Sequence, residues 1–491
     1  MAKIIILGAG LTGLSTAYHL EQLGFYDYKI FEKESQIGGL CRSVYQDGFT
    51  FDYTGHLLHI NNDYFKNIIK NTVGFNNLNN ITRKSFIYSH DRYTPYPYQT
   101  NLYGLPKEVI LDCITGFINR KKNRTKKTEE PHAPNNSHNN SHYPPHNNSY
   151  YHWVLKNFGA GFGKHFFFPY QQKIFSHNVR KLSSTWTNRF VPKTSLRQVI
   201  CGALEQNKYT IGYNKQFFYP KSGGIYDWVK KFSQQIQNPI HTNFCAKTID
   251  LKEKVVIFQD THKNKHPKHS YHTEQFDILI NTIPLDTLLK NIKEPAAISL
   301  KKQNKKLLCN QVINFNLGIF SPNTYDKHWI YYPEKKYPFY RTGFYHNFSR
   351  AMAPKGCSAL YGEFSCLKKS KQYIANKLDF CLKEAKKVLK ISDNDILTQK
   401  IIHIPHAYVI YDFWRDKNLP HIHKILNQYN IHSVGRYGEW KYASMQEAIL
   451  DGQKIANKLI SDTSEGHKSE LENYKKNKNH HNNAYFFDKP S

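Results

Sequence analysis

The chain has 491 residues, of which 40% are hydrophobic and 22% are charged, close to the composition of ordinary globular proteins. It carries 68 Lys and Arg against 38 Asp and Glu, a formal net charge of +30, and 15% of its residues are aromatic. These values exclude a small disulfide scaffold, a fibrous chain and a wholly disordered chain, and no run approaches the ~18 apolar residues of a membrane span.

The first elements form a strand–turn–helix–strand unit. Residues 3–7 are a β-branched run that predicts a buried parallel strand, Leu11–Gln22 predicts a helix, and Tyr28–Phe31 predicts a second strand. The later pattern predicts helices over 105–118, 374–388 and 445–460, and strands over 255–258, Ile278–Asn281, 311–317 and 328–332.

Two segments have a different composition. Residues 121–150 are nearly free of aliphatic side chains, and the tail from 461 is charged and rich in His and Asn. Such segments cannot bury enough surface to offset their ordering entropy, so we expect a disordered insert and a flexible tail. We interpret the histidines of the insert as part of a solvated loop and expect no metal site.

The eight cysteines include no C-x-x-C pair, which indicates reduced thiols and no zinc motif. The amino terminus has no signal-peptide pattern. We therefore expect a soluble, cytoplasmic protein. Its charge suits anionic substrates or weak membrane-surface association better than nucleic acid, because the basic clusters are short and carry no nucleic-acid module.

The first turn carries a dinucleotide-binding pattern. Gly8, Gly10 and Gly13 follow the first strand and open the helix, which suits a tight turn, a close approach to a pyrophosphate and close helix–strand packing. The helix amino terminus then faces the phosphates. Glu32 ends the second strand, where a carboxylate accepts a hydrogen bond from a ribose hydroxyl.

The residues after Glu32 indicate which dinucleotide binds. Gly38, Gly39 and Arg42 resemble the FAD-binding segment of amine-oxidase-like and glutathione-reductase-like flavoproteins. The segment 277–284 resembles the strand by which such folds return to the FAD domain, and Gly435 and Arg436 resemble their second FAD contact. We therefore expect non-covalent FAD.

Three aromatic motifs resemble the UDP-galactopyranose mutase family, from residue 3 to about residue 459 apart from the insert. They are the segment PYPYQTN at 95–101, the W-x-Y at 329–331 followed by PFYR at 338–341, and GRYGEWKY at 435–442. This combination is more specific than the glycine motif alone.

The resemblance implies roles for ten residues. His56 would lie at the flavin, while Arg189 and Arg341 would hold the diphosphate of a sugar nucleotide as the catalytic cations. Guanidinium groups suit this task because their planar forks match phosphate oxygens. The remaining substrate-binding residues implied are Tyr96 and Gln99 at the uridine end, Asn214 and Trp329 along the galactose and diphosphate, and Tyr331, Tyr408 and Tyr442 as hydroxyl donors.

The fold class implied is α/β: a Rossmann-type FAD-binding domain with an interleaved helical domain and an antiparallel-sheet substrate domain. The expected boundaries are 1–100, 211–285 and 401–460 for the FAD-binding parts, 101–210 for the helical domain, 286–400 for the substrate sheet and 461–491 for the tail.

The resemblance implies an isomerase that interconverts UDP-galactopyranose and UDP-galactofuranose through an adduct between the sugar and N5 of reduced FAD, and so feeds surface glycan synthesis. It requires a flavin reductant such as NAD(P)H. Oligomeric state stays open, including a homo-oligomer.

Two alternatives remain. An FAD-dependent amine oxidase or protoporphyrinogen-oxidase-like oxidoreductase would use the same scaffold, although paired arginines repel a cationic amine. A non-enzymatic flavin carrier would tolerate degenerate glycines, whereas Gly8, Gly10 and Gly13 are intact.

Overall fold

The computed structural model describes residues 2–120, 148–187, 191–206, 215–261, 271–293, 298–321 and 325–461. The helices in chain order are α1 Leu11–Gln22, α2 Asp63–Thr72, α3 Lys107–Asn119, α4 Tyr150–Phe162, α5 Phe168–Phe175, α6 Leu196–Leu204, α7 Tyr226–Ser233, α8 Leu285–Asn291, α9 Ile298–Asn304, α10 Lys371–Leu389, α11 Phe413–Gln428, α12 Gly435–Gly438 and α13 over 445–461. The strands are β1 Ile4–Leu7, β2 Tyr28–Phe31, β3 Ser43–Gln46, β4 Phe49–Asp52, β5 Leu78–Thr82, β6 Ser85–Ser89, β7 Arg92–Pro95, β8 Gln216–Pro220, β9 Ile240–His241, β10 Phe244–Asp250, β11 Val255–Asp260, β12 Tyr271–Gln275, β13 Ile278–Asn281, β14 Gln311–Ile319, β15 Trp329–Tyr331, β16 Arg341–Phe344, β17 Ser358–Cys366, β18 Ile396–Ile404 and β19 Ile431–Ser433.

A five-stranded parallel sheet with the order β19-β13-β1-β2-β9 contains the amino-terminal unit. All four residues of β1 are buried because its two faces are covered, which explains its continuous run of aliphatic residues. The predicted strand–helix–strand unit is confirmed. The chain returns to this sheet through β13 and again through β19, so segments distant in sequence meet beside β1.

A seven-stranded sheet with the order β18-β14-β17-β16-β15-β6-β7 lies beside the first. This sheet includes β6 and β7, from the first hundred residues, together with β14 to β18. The reason is the parallel pairing of β6 with β15, which places Ile87 opposite Tyr331. Such pairing between distant segments leaves no local sequence pattern.

The insert ends earlier than predicted. Ser149 accepts a hydrogen bond from the backbone N–H of His152 and caps α4, and the Tyr150 side chain is fully buried against Trp186. Residues 149 and 150 therefore belong to the folded core, while 121–147 and the tail from 462 lie outside the described residues. In the part of the chain that the structure describes, no helix combines the length and apolarity needed to cross a membrane.

A buried carboxylate joins β12 to β2 and to the residue before β1 in the parallel sheet. Glu274, 5% exposed, accepts from Lys29 Nζ at 2.6 Å and His272 Nε2 at 2.7 Å, and pairs with Lys3 Nζ at 3.0 Å. Burial alone would raise the pKa of Glu274, but the hydrogen bonds from Lys29, Lys3 and His272 outweigh it and lower the pKa to about 2.

Glu274→Gln should lower stability by roughly 1 kcal/mol at neutral pH, since solvent screens the ion pairs with the exposed side chains of Lys29, Lys3 and His272. Because the folded pKa lies below the unfolded value, this stabilisation is complete above about pH 4.5 and is lost as the pH falls towards 2. Denaturant unfolding of wild type and variant across this range measures it. A stability difference that stays constant with pH would contradict the assignment.

Candidate functional site

A cavity of about 760 Å³ receives side chains from the carboxyl ends of β1 and β2 and from several strands of the seven-stranded sheet. Most of the predicted site residues meet there. Those that line it are Gly8, Gly10, Glu32, Gly38, Gly39, Arg42, His56, Tyr96, Trp329, Tyr331, Arg341, Tyr408, Arg436 and Tyr442.

Five predicted residues lie elsewhere or are not described. Gly13 and Gly435 lie next to Gly8 and Thr12, respectively, and it is Gly8 and Thr12 that line the cavity. Gln99 is 2% exposed and donates from Nε2 to the carbonyl of Pro192 at 2.9 Å, and it is Pro192 that lines the cavity. Arg189 and Asn214 lie outside the described residues.

The glycine turn has the geometry that a phosphate group requires. Gly8 has φ +95°, and a Cβ on Gly13 would lie 1.9 Å from the Gly8 carbonyl oxygen, so both positions require glycine. Gly10, by contrast, faces open space: a Cβ there would meet only the Cα of Gly39, at 3.9 Å. No described side chain caps the amino terminus of α1, which therefore presents backbone N–H groups to a ligand.

Glu32 is held in place at the end of β2. Its Oε2 accepts from the backbone N–H of Ala9 at 2.9 Å and its Oε1 from that of Glu34 at 3.0 Å. The side chain is 7% exposed and lines the cavity. A carboxylate oxygen accepts more than one hydrogen bond, so Glu32 retains acceptor capacity for ribose hydroxyls.

Arg42 borders the same wall. Its Nε donates to the carbonyl of Gly39 at 2.8 Å, and its guanidinium lies 4.5 Å from the centre of the Tyr53 ring. Both contacts fix the position of the positive charge beside the glycine turn.

The loop after β4 presents His56 to the cavity. Asp52 anchors this loop, since its buried carboxylate accepts from Ser43 Oγ and Tyr219 OH, each at 2.6 Å. Thr54 has φ +76°, a strained conformation for a β-branched residue. Gly55 is required because a Cβ there would lie 2.5 Å from Tyr361 OH. A rigid support therefore fixes the imidazole.

His56 is neutral at physiological pH. Burial, together with the positive charges of Arg436 and Arg341, lowers the pKa of His56 to about 4. The three side chains all line the same cavity.

Arg341, at the start of β16, is held by a buried carboxylate. Its Nε and Nη2 donate to Glu363 Oε1 at 2.9 and 2.7 Å, and Tyr340 OH donates to Glu363 Oε2 at 2.6 Å. Arg341 lies directly opposite Glu363 in the β16–β17 register. This pairing orients the guanidinium and leaves it further N–H groups for a ligand.

Arg436 has no such counter-charge. Its Nη1 donates to the carbonyl of Ala443 at 3.1 Å and its Nη2 to that of Ala407 at 2.8 Å. Among the described residues, no carboxylate lies within ion-pair distance of it. A buried cation is costly without a partner, so an uncompensated guanidinium at a cavity wall indicates an anionic ligand.

Tyrosines surround Arg436 and Arg341. The guanidinium of Arg436 lies 5.6 Å from the Tyr408 ring and 4.6 Å from the Tyr442 ring, and these two rings are parallel. Burial raises the pKa of Tyr408 to about 12, although Arg341 opposes the shift. Burial and the neighbouring Tyr331 likewise raise the pKa of Tyr96 to about 12. Both hydroxyls therefore stay protonated and can donate hydrogen bonds.

Three residues of the site were not predicted from the sequence. Arg83 and His59 line the cavity, with the Arg83 guanidinium 5.1 Å from the Tyr96 ring centre. Glu363 also lines it. The sequence around Glu363 could have indicated its role, because a lone carboxylate inside an apolar strand predicts a buried cationic partner. No sequence pattern around Arg83 or His59 indicates a role in the site. Trp329 adds a buried Nε1 with no hydrogen-bond partner among the described residues.

The residues present fit FAD. The turn at Gly10 leaves space that a Cβ would fill, α1 offers uncapped N–H groups, and Glu32 lies at the end of β2 with its carboxylate held in place. The cavity volume lies within the range of small-molecule and cofactor sites. An adenosine would lie at Glu32, the phosphates at Gly10 and Arg42, and the ring system towards His56.

Solved structures share this fold. A crystal structure of reduced UDP-galactopyranose mutase superposes with a TM-score of 0.81 at 23% identity, covering 94% of this chain and 96% of that one. A putative protoporphyrinogen oxidase from Exiguobacterium sp. 255-15 superposes with a TM-score of 0.65 at 14% identity, covering 94% and 99%. At these identities the likeness shows the fold alone, and it confirms the predicted α/β flavoprotein fold.

Curated relatives match short segments. An "uncharacterized protein in nifH2 3'region" of Methanothermococcus thermolithotrophicus is 43% identical over 61 residues, which are 12% of this chain and 58% of that protein. A 4,4'-diapophytoene desaturase (4,4'-diaponeurosporene-forming) of Staphylococcus aureus (strain COL) is 44% identical over 50 residues, 10% of each chain. The chain thus covers less than two thirds of either relative.

The family-level match is broader. The model of the flavin containing amine oxidoreductases matches residues 11–318, more than half of the chain, and includes Gly13, Glu32 and the return strand β13. This family implies FAD, in agreement with the cavity. The chain therefore belongs to the flavin containing amine oxidoreductase family.

Proposed function

We propose that this protein is an isomerase that interconverts UDP-galactopyranose and UDP-galactofuranose with reduced FAD. The observation that carries the proposal is the pair of partly buried guanidinium groups, Arg341 and Arg436, in one cavity with the tyrosines. Arg436 lacks a carboxylate partner among the described residues, so the cavity favours an anionic ligand next to the flavin position.

The diphosphate is the part of the substrate that these residues suit best. Arg341, oriented by Glu363, donates to phosphate oxygens, and Tyr331, Tyr408 and Tyr442 add hydroxyl donors without adding charge. Arg189 completes this set in the proposal. It precedes Pro192, which lines the cavity and is held by Gln99.

The remaining residues bind the sugar and the nucleoside. Tyr96 provides an aromatic face for the uridine end. Gln99 holds the backbone at Pro192 in place beside it. Trp329 offers its unpartnered Nε1 to a sugar oxygen or a phosphate oxygen, and Asn214 has the same task in the proposal.

Reduced FAD, when bound, supplies the nucleophilic nitrogen that this ring contraction needs. The protein's part is to hold UDP while its bond to the anomeric carbon breaks and until it returns. Arg341 and the tyrosine hydroxyls stabilise the charge that grows on the departing diphosphate. His56 would lie beside the reacting groups and, being neutral, would add no further positive charge. Because UDP stays bound, it can re-form the bond after the ring has changed size.

An FAD-dependent oxidoreductase is the second candidate, because the family match and the shared fold with a putative protoporphyrinogen oxidase support that scaffold. The cavity favours the isomerase, however. Two partly buried guanidinium groups repel the cationic amine of an amine-oxidase substrate. Function is decided by the site and not by the scaffold.

The proposal includes a reductant such as NAD(P)H, which acts before the first turnover, and a cytoplasmic location. The product would feed surface glycan synthesis.

The test is direct. Protein reduced with dithionite should convert UDP-galactopyranose into UDP-galactofuranose, resolved by chromatography, while oxidised protein should not. Hydrogen peroxide release from an amine, with no furanose product from reduced protein, would support the oxidoreductase instead.

A further inference from the structure

Lys173 on α5 holds the loop that connects β15 to β16. Its Nζ donates to the carbonyls of Tyr332 at 2.8 Å and Phe339 at 3.2 Å, and to that of Glu334. A single ammonium group thus uses all three donors on backbone oxygens of one loop. No carboxylate of the described residues forms an ion pair with it.

The two ends of this loop carry residues of the site. Tyr332 directly follows Tyr331, at the end of β15, and Phe339 lies two residues before Arg341, at the start of β16. The ends also pair with each other, since the N–H of Tyr332 donates to the carbonyl of Tyr340 at 2.9 Å. Moving the Lys173 ammonium would therefore move both strand ends.

A second set of contacts links α5 to the carboxylate that orients Arg341. Ser365 Oγ donates to the carbonyl of Lys173, and Ser365 lies two residues after Glu363 on β17. Tyr170, one turn earlier on α5, packs edge-on against Tyr331 with the ring centres 5.3 Å apart.

We propose that Lys173 is a positioning residue for the substrate: it fixes the β15–β16 loop and thereby places Tyr331 and Arg341 where they meet the diphosphate. The substrate part of this inference rests on the proposed function, whereas the effect on the loop does not. Lys173 does not line the cavity for FAD and the sugar nucleotide, and it acts through the backbone of the loop.

The hydrogen bonds from Lys173 to the β15–β16 loop depend on pH, because the Lys173 ammonium can lose its charge. Burial lowers the pKa of Lys173 to about 7, with Glu334 on the loop and Cys381 on α10 raising it and Lys377 on α10 lowering it. Above that pH the ammonium becomes an amine with two N–H donors, so one of the three hydrogen bonds is lost and the other two lose their charge assistance. The KM for the sugar nucleotide should therefore rise as the pH passes from 6 to 8.

Three variants of the full-length holoprotein test the proposal. Lys173→Met removes the donors, Lys173→Arg retains charge and donors, and Lys377→Met is the matched control. Lys377 is a neighbouring lysine that donates to the carbonyl of Ser365 at 3.2 Å and has no hydrogen bond to the β15–β16 loop among the described residues.

Lys173→Met should keep its FAD and raise the KM for UDP-galactopyranose and the Kd for UDP about tenfold, since the loop loses three hydrogen bonds from a charged donor. The rise of KM with pH should disappear. Lys173→Arg should recover part of the affinity. Lys377→Met should bind UDP as wild type does at pH 6, with its KM profile moved to higher pH because a charge that lowers the pKa of Lys173 is gone. Equal UDP affinity in Lys173→Met and Lys377→Met would overturn the proposal.

Amide hydrogen exchange separates this inference from the proposed function. In Lys173→Met the amides of Tyr332 and Tyr337 should exchange faster than in Lys377→Met, whether or not UDP binds. If wild type neither binds UDP nor converts the sugar, the proposed function fails while the faster exchange still shows loop positioning. Unchanged amide exchange in Lys173→Met would refute the role of Lys173. If Lys173→Met does not fold, a KM of the wild-type protein that does not change with pH would refute it instead.

Discussion

Gly10→Ala should give a folded protein that no longer retains FAD. The backbone at Gly10 has φ −74°, which any residue adopts, and a Cβ there would find its nearest neighbour at 3.9 Å. The apoprotein therefore has room for the methyl group. That room is the space between Gly10 and Gly39 where the pyrophosphate should pass, and filling a well-packed contact costs about 1–3 kcal/mol. FAD affinity should fall on the order of 10- to 100-fold.

The ratio of flavin to protein absorbance after purification, together with thermal unfolding of the apoprotein, measures this effect. Gly13→Ala is the contrasting variant: its Cβ would lie 1.9 Å from a backbone oxygen, so it should lose stability as well as FAD. Gly24→Ala is the matched control, since Gly24 has φ +75° with open space around it and should lose some stability but no FAD. Wild-type flavin content in Gly10→Ala would refute the placement of the pyrophosphate.

Arg341→Lys should weaken UDP binding by about 10- to 100-fold while FAD stays bound. Lysine keeps the positive charge but cannot bond Glu363 and a phosphate at once through a planar fork. Its ammonium would remain with the buried Glu363 carboxylate, because leaving that charge unpaired costs more than losing a ligand contact. The diphosphate then loses charge-assisted bonds worth about 1.5–3 kcal/mol.

Titration of UDP followed by tryptophan or flavin fluorescence measures the affinity. Arg350→Lys serves as the matched control because Arg350 is exposed and does not line the cavity. Glu363→Gln adds a second comparison: it keeps the shape of the side chain, loses the ion pair and should also weaken UDP binding. If Arg341→Lys binds UDP as wild type does, Arg341 does not hold the diphosphate.

The amino-terminal unit could be predicted closely because its signals are local. The β-branched run of β1, the spacing of Gly8, Gly10 and Gly13, and the acid at the end of β2 each depend on neighbours within one supersecondary unit. The predicted strands over 255–258, Ile278–Asn281 and 311–317 are also confirmed, since strand periodicity is visible in a few residues. The insert boundary was less accurate, because its last residues are polar in sequence yet packed in the fold.

By itself the sequence determined the α/β flavoprotein fold and the FAD-binding turn, since backbone sterics and hydrophobic periodicity act between near neighbours. Only the tertiary structure decided which charges are compensated. Arg341 meets Glu363 through strand register, Arg436 is left without a carboxylate among the described residues, and Lys173 reaches three carbonyls of a distant loop. These relations depend on the pairing of strands and helices far apart along the chain. On β16, for example, a register shift of one residue would point the Arg341 side chain to the opposite face.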